Sequence, residues 1–426
     1  MTRENRPITP FLALLIPLWV LAPRAPASDC TKTSVGLVPL SDLKTGEYRG
    51  RQGGLYPGGV NARPPAHEQA GLDQAGLVRP LDASGQPSAG GRIVLLSVGM
   101  SNTTQEFSTF KPMADADPDK NPSLTIVDGA QGGMTASIIT NPSSTGYQQF
   151  WSTVESRLRS AGVTAAQVQV AWVKEADAGP NAAFPNDALI LKSEFAEIAR
   201  ILKSRFPNMR IAYYSSRIYA GYASTALNPE PFAYQSGFAV KWLIEDQIAG
   251  APDLNFDAER GVVRAPWLAW GPYLWADGLN ARSDGLTYVC SDFADDGTHP
   301  AAGGARNKVA RLLLDFMKTD STSKGWFLRS ASAGSSTLAF PILVAAVDGS
   351  ASAPSLSSGF ALANVAGSPT TLTFTATAAD GSVVSGAGIS NPASVPLAAG
   401  EQLNHSQLKF PDSLHRFVEL QRYCLG

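Results

Sequence analysis

Asp296-Gly297-Thr298-His299-Pro300 places a carboxylate three residues before an imidazole, within a turn that contains glycine. That spacing allows the acid to hold the ring in one orientation while its far nitrogen faces another group. The chain has only 4 histidines, so a site built on one of them has few alternatives. A serine hydroxyl is the group that gains most from such a base, because it becomes a nucleophile by giving up its proton. Far upstream, Arg92 to Asn102 reads R-I-V-L-L-S-V-G-M-S-N, an apolar run that ends in Gly99 and then delivers Ser101. A buried parallel strand with a serine at its carboxyl end has this pattern. The chemistry expected of the three residues is acyl transfer: Ser101 attacks, His299 moves the proton and Asp296 orients His299. As ordinary residues, Ser101 would cap a helix and His299 would brace the Pro300 turn; the residues alone leave both readings open.

Positioning these groups requires a scaffold, and the hydrophobic periodicity supplies one. Strands are expected at Arg92–Val98, Leu124–Val127, Gln167–Val173, Arg210–Tyr214 and Leu286–Cys290. Helices are expected at Tyr147–Ala161, Leu189–Phe206, Pro231–Ile248 and Ala301–Met317, with apolar stripes such as Phe195, Ile198, Leu202 and Phe206. Alternating strand and helix predict an α/β fold, a three-layer α/β/α parallel sheet of flavodoxin-like type, followed by a small C-terminal all-β module. In such a sheet the site lies at the carboxyl ends of the strands.

The remaining chain divides by texture. Residues 1–27 read as a secretory signal peptide: Arg3 and Arg6 precede an apolar run from Phe11 to Ala22, and Ala25-Pro26-Ala27 offers a cleavage site. Export to the periplasm or medium follows and permits a disulfide among Cys30, Cys290 and Cys424, with Cys30–Cys290 the preferred pair. Residues 28–90 form a Gly/Pro-rich N-terminal extension expected to pack on the domain at 91–328, because Leu40, Tyr48 and Tyr56 would otherwise stay wet. Residues 333–401, almost free of charge and rich in Thr and Val, make the β-sandwich-like module, and 402–426 is a tail of no assigned fold.

A formal net charge of -2 and the lack of basic blocks argue against a nucleic-acid partner. No cluster of histidine and cysteine suggests a metal, and Asp115-Ala116-Asp117-Pro118-Asp119 lacks a calcium-loop pattern, so no cofactor is expected. Two further groups concern the substrate. Arg217, in the segment after the fourth strand, is suited to a carboxylate or phosphate, or alternatively to a structural bridge to Glu230. Trp270 and Tyr273, in W-L-A-W-G-P-Y-L-W, form either a flat wall for a carbohydrate or the packed core of a loop.

Residues 91–320 resemble the SGNH or GDSL-type hydrolase superfamily. The resemblance rests on Gly99-Met100-Ser101-Asn102, where Met100 replaces the usual Asp of the G-D-S block, and on Asp296-Gly297-Thr298-His299-Pro300 as the D-x-x-H block before the last helix. It implies nucleophile, acid and base roles for Ser101, Asp296 and His299. It also implies an oxyanion-binding N–H from Ser101 and from Gly132 or Gly133, in Asp128-Gly129-Ala130-Gln131-Gly132-Gly133. The family's G-x-N-D block is absent. Trp172-Val173-Lys174-Glu175-Ala176-Asp177 resembles the W-x-Q-G-E block of some carbohydrate esterases, which makes Lys174 a candidate oxyanion donor, with Asn102 another. The function implied is a secreted serine esterase acting on an acylated glycan or a related small-molecule ester. The competing expectation is a non-catalytic carbohydrate- or surface-binding protein on a hydrolase scaffold. Gly359-Phe360-Ala361-Leu362-Ala363-Asn364 resembles the strand start of small β domains appended to secreted bacterial proteins, which implies cell-surface association.

Overall fold

The apolar run that ends at Gly99 becomes an interior strand of a five-stranded parallel sheet. The computed structural model describes residues 27–329, Ser382 and the strand segments 336–342, 361–363, 370–377, 393–397, 402–404 and 418–424. Apart from Ala27, the expected signal peptide lies outside them, as do His405 and His415. The chain divides into two compact units, Met1–Lys324 and Gly325–Gly426.

In chain order the first unit contains α1 (Pro65–Gly76), β1 (Ile93–Gly99), α2 (Ser101–Asp115), β2 (Leu124–Asp128), α3 (Thr145–Ser160), β3 (Val168–Lys174), α4 (Asn186–Arg205), β4 (Ile211–Tyr214), α5 (Phe232–Ile248), β5 (Trp267–Trp270) and α6 (Ala305–Thr319). The strands lie side by side as β2-β1-β3-β4-β5, each neighbouring pair parallel. All seven residues of β1 and all seven of β3 are buried. Helices on both faces exclude water from both sides of these strands, which is why they read as continuous apolar runs. On α3, Phe150, Val154 and Leu158 form the buried stripe, and Ser144 caps the helix by accepting the Gly146 N–H at 3.2 Å. Helix α2 packs against α6, and α4 against α5. Strand order reverses between β1 and β3, so the crevice where ligands bind in open α/β sheets falls beside Ser101.

The fifth strand is Trp267–Trp270 and not Leu286–Cys290. W-L-A-W is buried at all four positions, so it shows no amphipathic period, and Gly271-Pro272 ends it. Around 286–290 the Tyr288 ring is buried but Val289 is exposed, and Cys290–Asp292 is a short 3₁₀ turn. The Gly/Pro-rich texture of 28–90 also conceals α1, which covers the edge formed by β5. His67 Nε2 lies 2.8 Å from the Leu268 carbonyl, and the Trp267 indole N–H donates to the His67 carbonyl at 3.1 Å. Leu40 and Tyr56 are buried as well, so the extension packs against the domain.

In the second unit, β6 (Ser336–Ile342), β7 (Ala361–Ala363), β8 (Thr370–Thr377), β9 (Ala393–Leu397), β10 (Gln402–Asn404) and β11 (Val418–Cys424) pair antiparallel, in the orders β9-β8-β11-β6 and β10-β7. Two of these strands come from the stretch the sequence left as a tail. Among the described residues no helix is long and apolar enough to cross a membrane.

Burial holds the His67 imidazole down at about 4, with the Arg63 charge acting the same way and the Leu268 carbonyl opposing both. The unfolded chain therefore binds a proton between about pH 6.5 and pH 4 that the folded chain refuses. Stability from this group is complete above that window and falls as pH descends through it, by roughly 3 kcal/mol. Urea unfolding at stepped pH is expected to show this loss. His67→Gln, which keeps an N–H donor but does not titrate, is expected to flatten the profile.

Candidate active site

Gly99 sets the position of the serine. A Cβ there would lie 2.4 Å from both the Lys174 carbonyl oxygen and the Thr103 hydroxyl, so only glycine lets β1 pass so close to β3 before the chain turns into α2. The Thr103 hydroxyl closes this approach by donating to the Lys174 carbonyl at 2.5 Å. Ser101 is then the first residue of α2, at the carboxyl edge of the sheet.

The second half of the site is a tight turn. Phe293 and Pro300 form a bridge, and the Ala294 N–H donates to the His299 carbonyl at 2.8 Å. Gly297 adopts φ +63°, and a Cβ there would strike the Tyr222 carbonyl, so the turn requires glycine at this position. Asp296 Oδ1 accepts the N–H groups of Thr298 and His299, each at 3.0 Å. Its Oδ2 lies 2.5 Å from His299 Nδ1, and His299 Nε2 lies 2.8 Å from Ser101 Oγ. Burial pushes the Asp296 carboxyl up, but the hydrogen bonds from His299 and Thr298 outweigh it and hold the group below its ordinary value. An ionised carboxylate only accepts, so Nδ1 carries the ring proton and Nε2 of the neutral ring is free to accept the serine hydroxyl.

Of the two candidate glycines, Gly132 stands beside the serine: its Cβ would lie 3.8 Å from Ser101 Cβ. Gly133 takes the left-handed turn, at φ +77°. Among the described residues the N–H groups of Ser101 and Gly132 meet no acceptor. The loop is braced from below. Asp128 accepts the Ser97 hydroxyl at 2.6 Å and the Thr104 hydroxyl at 2.5 Å, Arg157 donates to the carbonyls of Asp128 and Ala130, and the Gln131 N–H donates to the Gly99 carbonyl at 2.9 Å. The sequence pointed to the glycines but not to this brace. An acid at a strand end followed directly by glycine was the signal available.

The other expected site residues face elsewhere. The Lys174 ammonium is buried and lies 2.7 and 2.6 Å from the two oxygens of Glu106, so it is committed to an ion pair instead of facing an oxyanion. Burial acts against both charges, drawing Lys174 down and Glu106 up. The Asn102 amide donates to the Thr298 carbonyl at 3.0 Å, so it too is engaged. Arg217 is 1% exposed; no bridge to Glu230 forms, and its Nε and Nη2 have no partner among the described residues. Burial draws its guanidinium down while the charges of Glu106, Glu230, Glu175 and Asp296 oppose that. Trp270 and Tyr273 pack inward: the indole N–H donates to the Leu55 carbonyl at 2.7 Å, and the tyrosine hydroxyl accepts the Leu40 N–H at 3.0 Å. They anchor the N-terminal extension, and Trp270 also borders a shallow pocket with Leu55, Tyr56 and Arg63. Among the described residues no group of three His, Cys, Asp or Glu is placed to hold a metal ion.

Residues 28–30 also reach this turn. Cys30 and Cys290 are disulfide-bonded, the Ser28 N–H donates to the Asp295 carbonyl at 2.5 Å, and the Asp29 N–H donates to the Tyr222 carbonyl at 3.0 Å. The sequence suggested the disulfide but not the two backbone bonds.

No family model matches the chain, and no curated protein matches it. Three solved structures are similar at a distance. A candidate SGNH hydrolase from Slackia heliotrinireducens shares 16% identity over 53% of this chain and 100% of its own, with a TM-score of 0.29. A candidate acylhydrolase from Bacteroides fragilis shares 13% over 60% and 96%, with a TM-score of 0.27. The periplasmic domain of a lipopolysaccharide acetyltransferase from Salmonella ser. Paratyphi A shares 12% over 59% and 94%, with a TM-score of 0.29. All three likenesses are distant. The chemistry of the site rests on its own geometry.

Removing one partner of the Lys174–Glu106 pair strands a buried charge. Lys174→Met is expected to cost about 3–5 kcal/mol in chemical denaturation, and adding Glu106→Leu to recover most of it. If Lys174 served an oxyanion, the stable double variant would still lose activity; it is expected to keep it.

Proposed function

We propose that the chain is a serine hydrolase that cleaves an ester. The observation that carries this reading is the continuous hydrogen-bonded series Asp296–His299–Ser101, at 2.5 and 2.8 Å, at the carboxyl edge of a parallel sheet. In the first step His299 Nε2 takes the Ser101 proton as Oγ bonds to the ester carbonyl carbon. The carbonyl oxygen becomes an oxyanion, received by the N–H groups of Ser101 and Gly132. As the tetrahedral centre collapses, the C–O bond to the alcohol breaks and His299 passes its proton to the leaving oxygen. Water then attacks the acyl-enzyme by the same route, giving the carboxylic acid and restoring Ser101. Asp296 stays ionised throughout and stabilises the imidazolium. Two backbone donors bear the oxyanion in this scheme, since Lys174 and Asn102 are engaged elsewhere.

An acylated glycan or a related small ester is the substrate class we favour, in an exported protein whose second unit is a small all-β module serving attachment at the cell surface. The Cys30–Cys290 disulfide supports export, because such bonds persist in oxidising compartments. The test is a panel of short acyl esters and acetylated glycans, assayed with the full chain beside Ser101→Ala and His299→Ala. Turnover is expected to fall about 10³-fold or more in each variant. Unchanged turnover in Ser101→Ala would overturn the mechanism, and no turnover of any ester by the unaltered chain would favour the binding-protein alternative.

A further inference from the structure

Two side chains from the first turn of α2 reach the turn that carries His299. One is Ser101 itself. The other is its neighbour Asn102, whose buried amide donates to the carbonyl of Thr298, the residue immediately before His299. The rest of that turn is held by groups outside α2: the Thr298 hydroxyl meets the Thr225 hydroxyl at 2.8 Å, and the Ser224 N–H donates to the Asp296 carbonyl at 3.1 Å. We infer that Asn102 is a positioning residue that keeps the His299 turn in register with the nucleophile. This rests on the hydrolase reading above and assigns a role it leaves open.

The two links between helix and turn differ in kind. The Ser101–His299 hydrogen bond must break in every cycle, because the proton leaves Oγ and the oxygen then carries the acyl group. While the acyl-enzyme stands, Ser101 can no longer hold the imidazole. The Asn102–Thr298 bond involves no group that reacts, so it persists through both halves of the cycle. It joins the backbone one residue from the base to the helix one residue from the nucleophile, a short and stiff path. A shift of the turn by about 1 Å would cost proton transfer on the order of 10²-fold. Deacylation should feel the loss most, since His299 must then orient a water without help from Oγ.

The test uses the full chain with a short acyl ester that the unaltered protein turns over. Asn102→Ala and the near-isosteric Asn102→Asp are compared, with circular dichroism confirming the folded state and rates expressed per active site titrated. Both variants are expected to lose kcat by about 10–100-fold, with acyl-enzyme accumulating and KM falling along with kcat, because deacylation then limits turnover. The aspartate is expected to do no better than alanine, because an ionised carboxylate cannot donate to a carbonyl. Folded variants with kcat within twofold of the unaltered protein, or an aspartate variant that restores the rate, would overturn the inference and leave the hydrolase reading standing. Full turnover by Ser101→Ala in the same assay would instead remove that reading, and the role of Asn102 with it.

Discussion

The contact between His299 Nε2 and Ser101 Oγ joins two turns 198 residues apart, and most of the first unit serves to hold its two ends. One end is fixed by the strand–turn–helix at Gly99, where β1 passes so close to β3 that a side chain has no room. The other is fixed by Asp296, which accepts two backbone N–H groups and the ring within four residues of chain. A parallel sheet brings the ends together because its carboxyl edge collects the loops that follow every strand. The strand order switches between β1 and β3, next to Ser101.

Charge is distributed around this contact in two ways. Asp296 lies half-buried, with hydrogen bonds enough to keep it ionised, which suits a group that must orient a ring and balance its charge. Lys174 and Glu106 neutralise each other in full burial beneath the same edge. A buried pair of this kind adds little net stability, but losing one member is costly. It therefore fixes α2 against β3.

Much of the site was legible in the sequence because its parts are local. Ser101 announced itself through the apolar run before it, and Asp296 and His299 through their spacing. Four of the five strands of the sheet were visible for the same reason. Trp267–Trp270 was not, since its tryptophans and the Gly271-Pro272 that follows suggested a packed loop or a ligand wall instead of a strand. Helix α1 was hidden by the glycine and proline around it. The partners of Lys174 and Asn102 were not legible either, because Glu106 and Thr298 meet them only through tertiary packing. A side chain's type shows what it can donate; its fold decides where.

The central claim is that Ser101 is a hydroxyl activated by His299. Reaction with a fluorophosphonate tests it without knowledge of the substrate, since the reagent reports only on an activated nucleophile. Intact-mass and peptide analysis of the full chain should show one covalent adduct, located on Ser101, which forms far more slowly in His299→Ala. Absence of an adduct, or an adduct on Ser101 that forms equally fast in His299→Ala, would contradict the account.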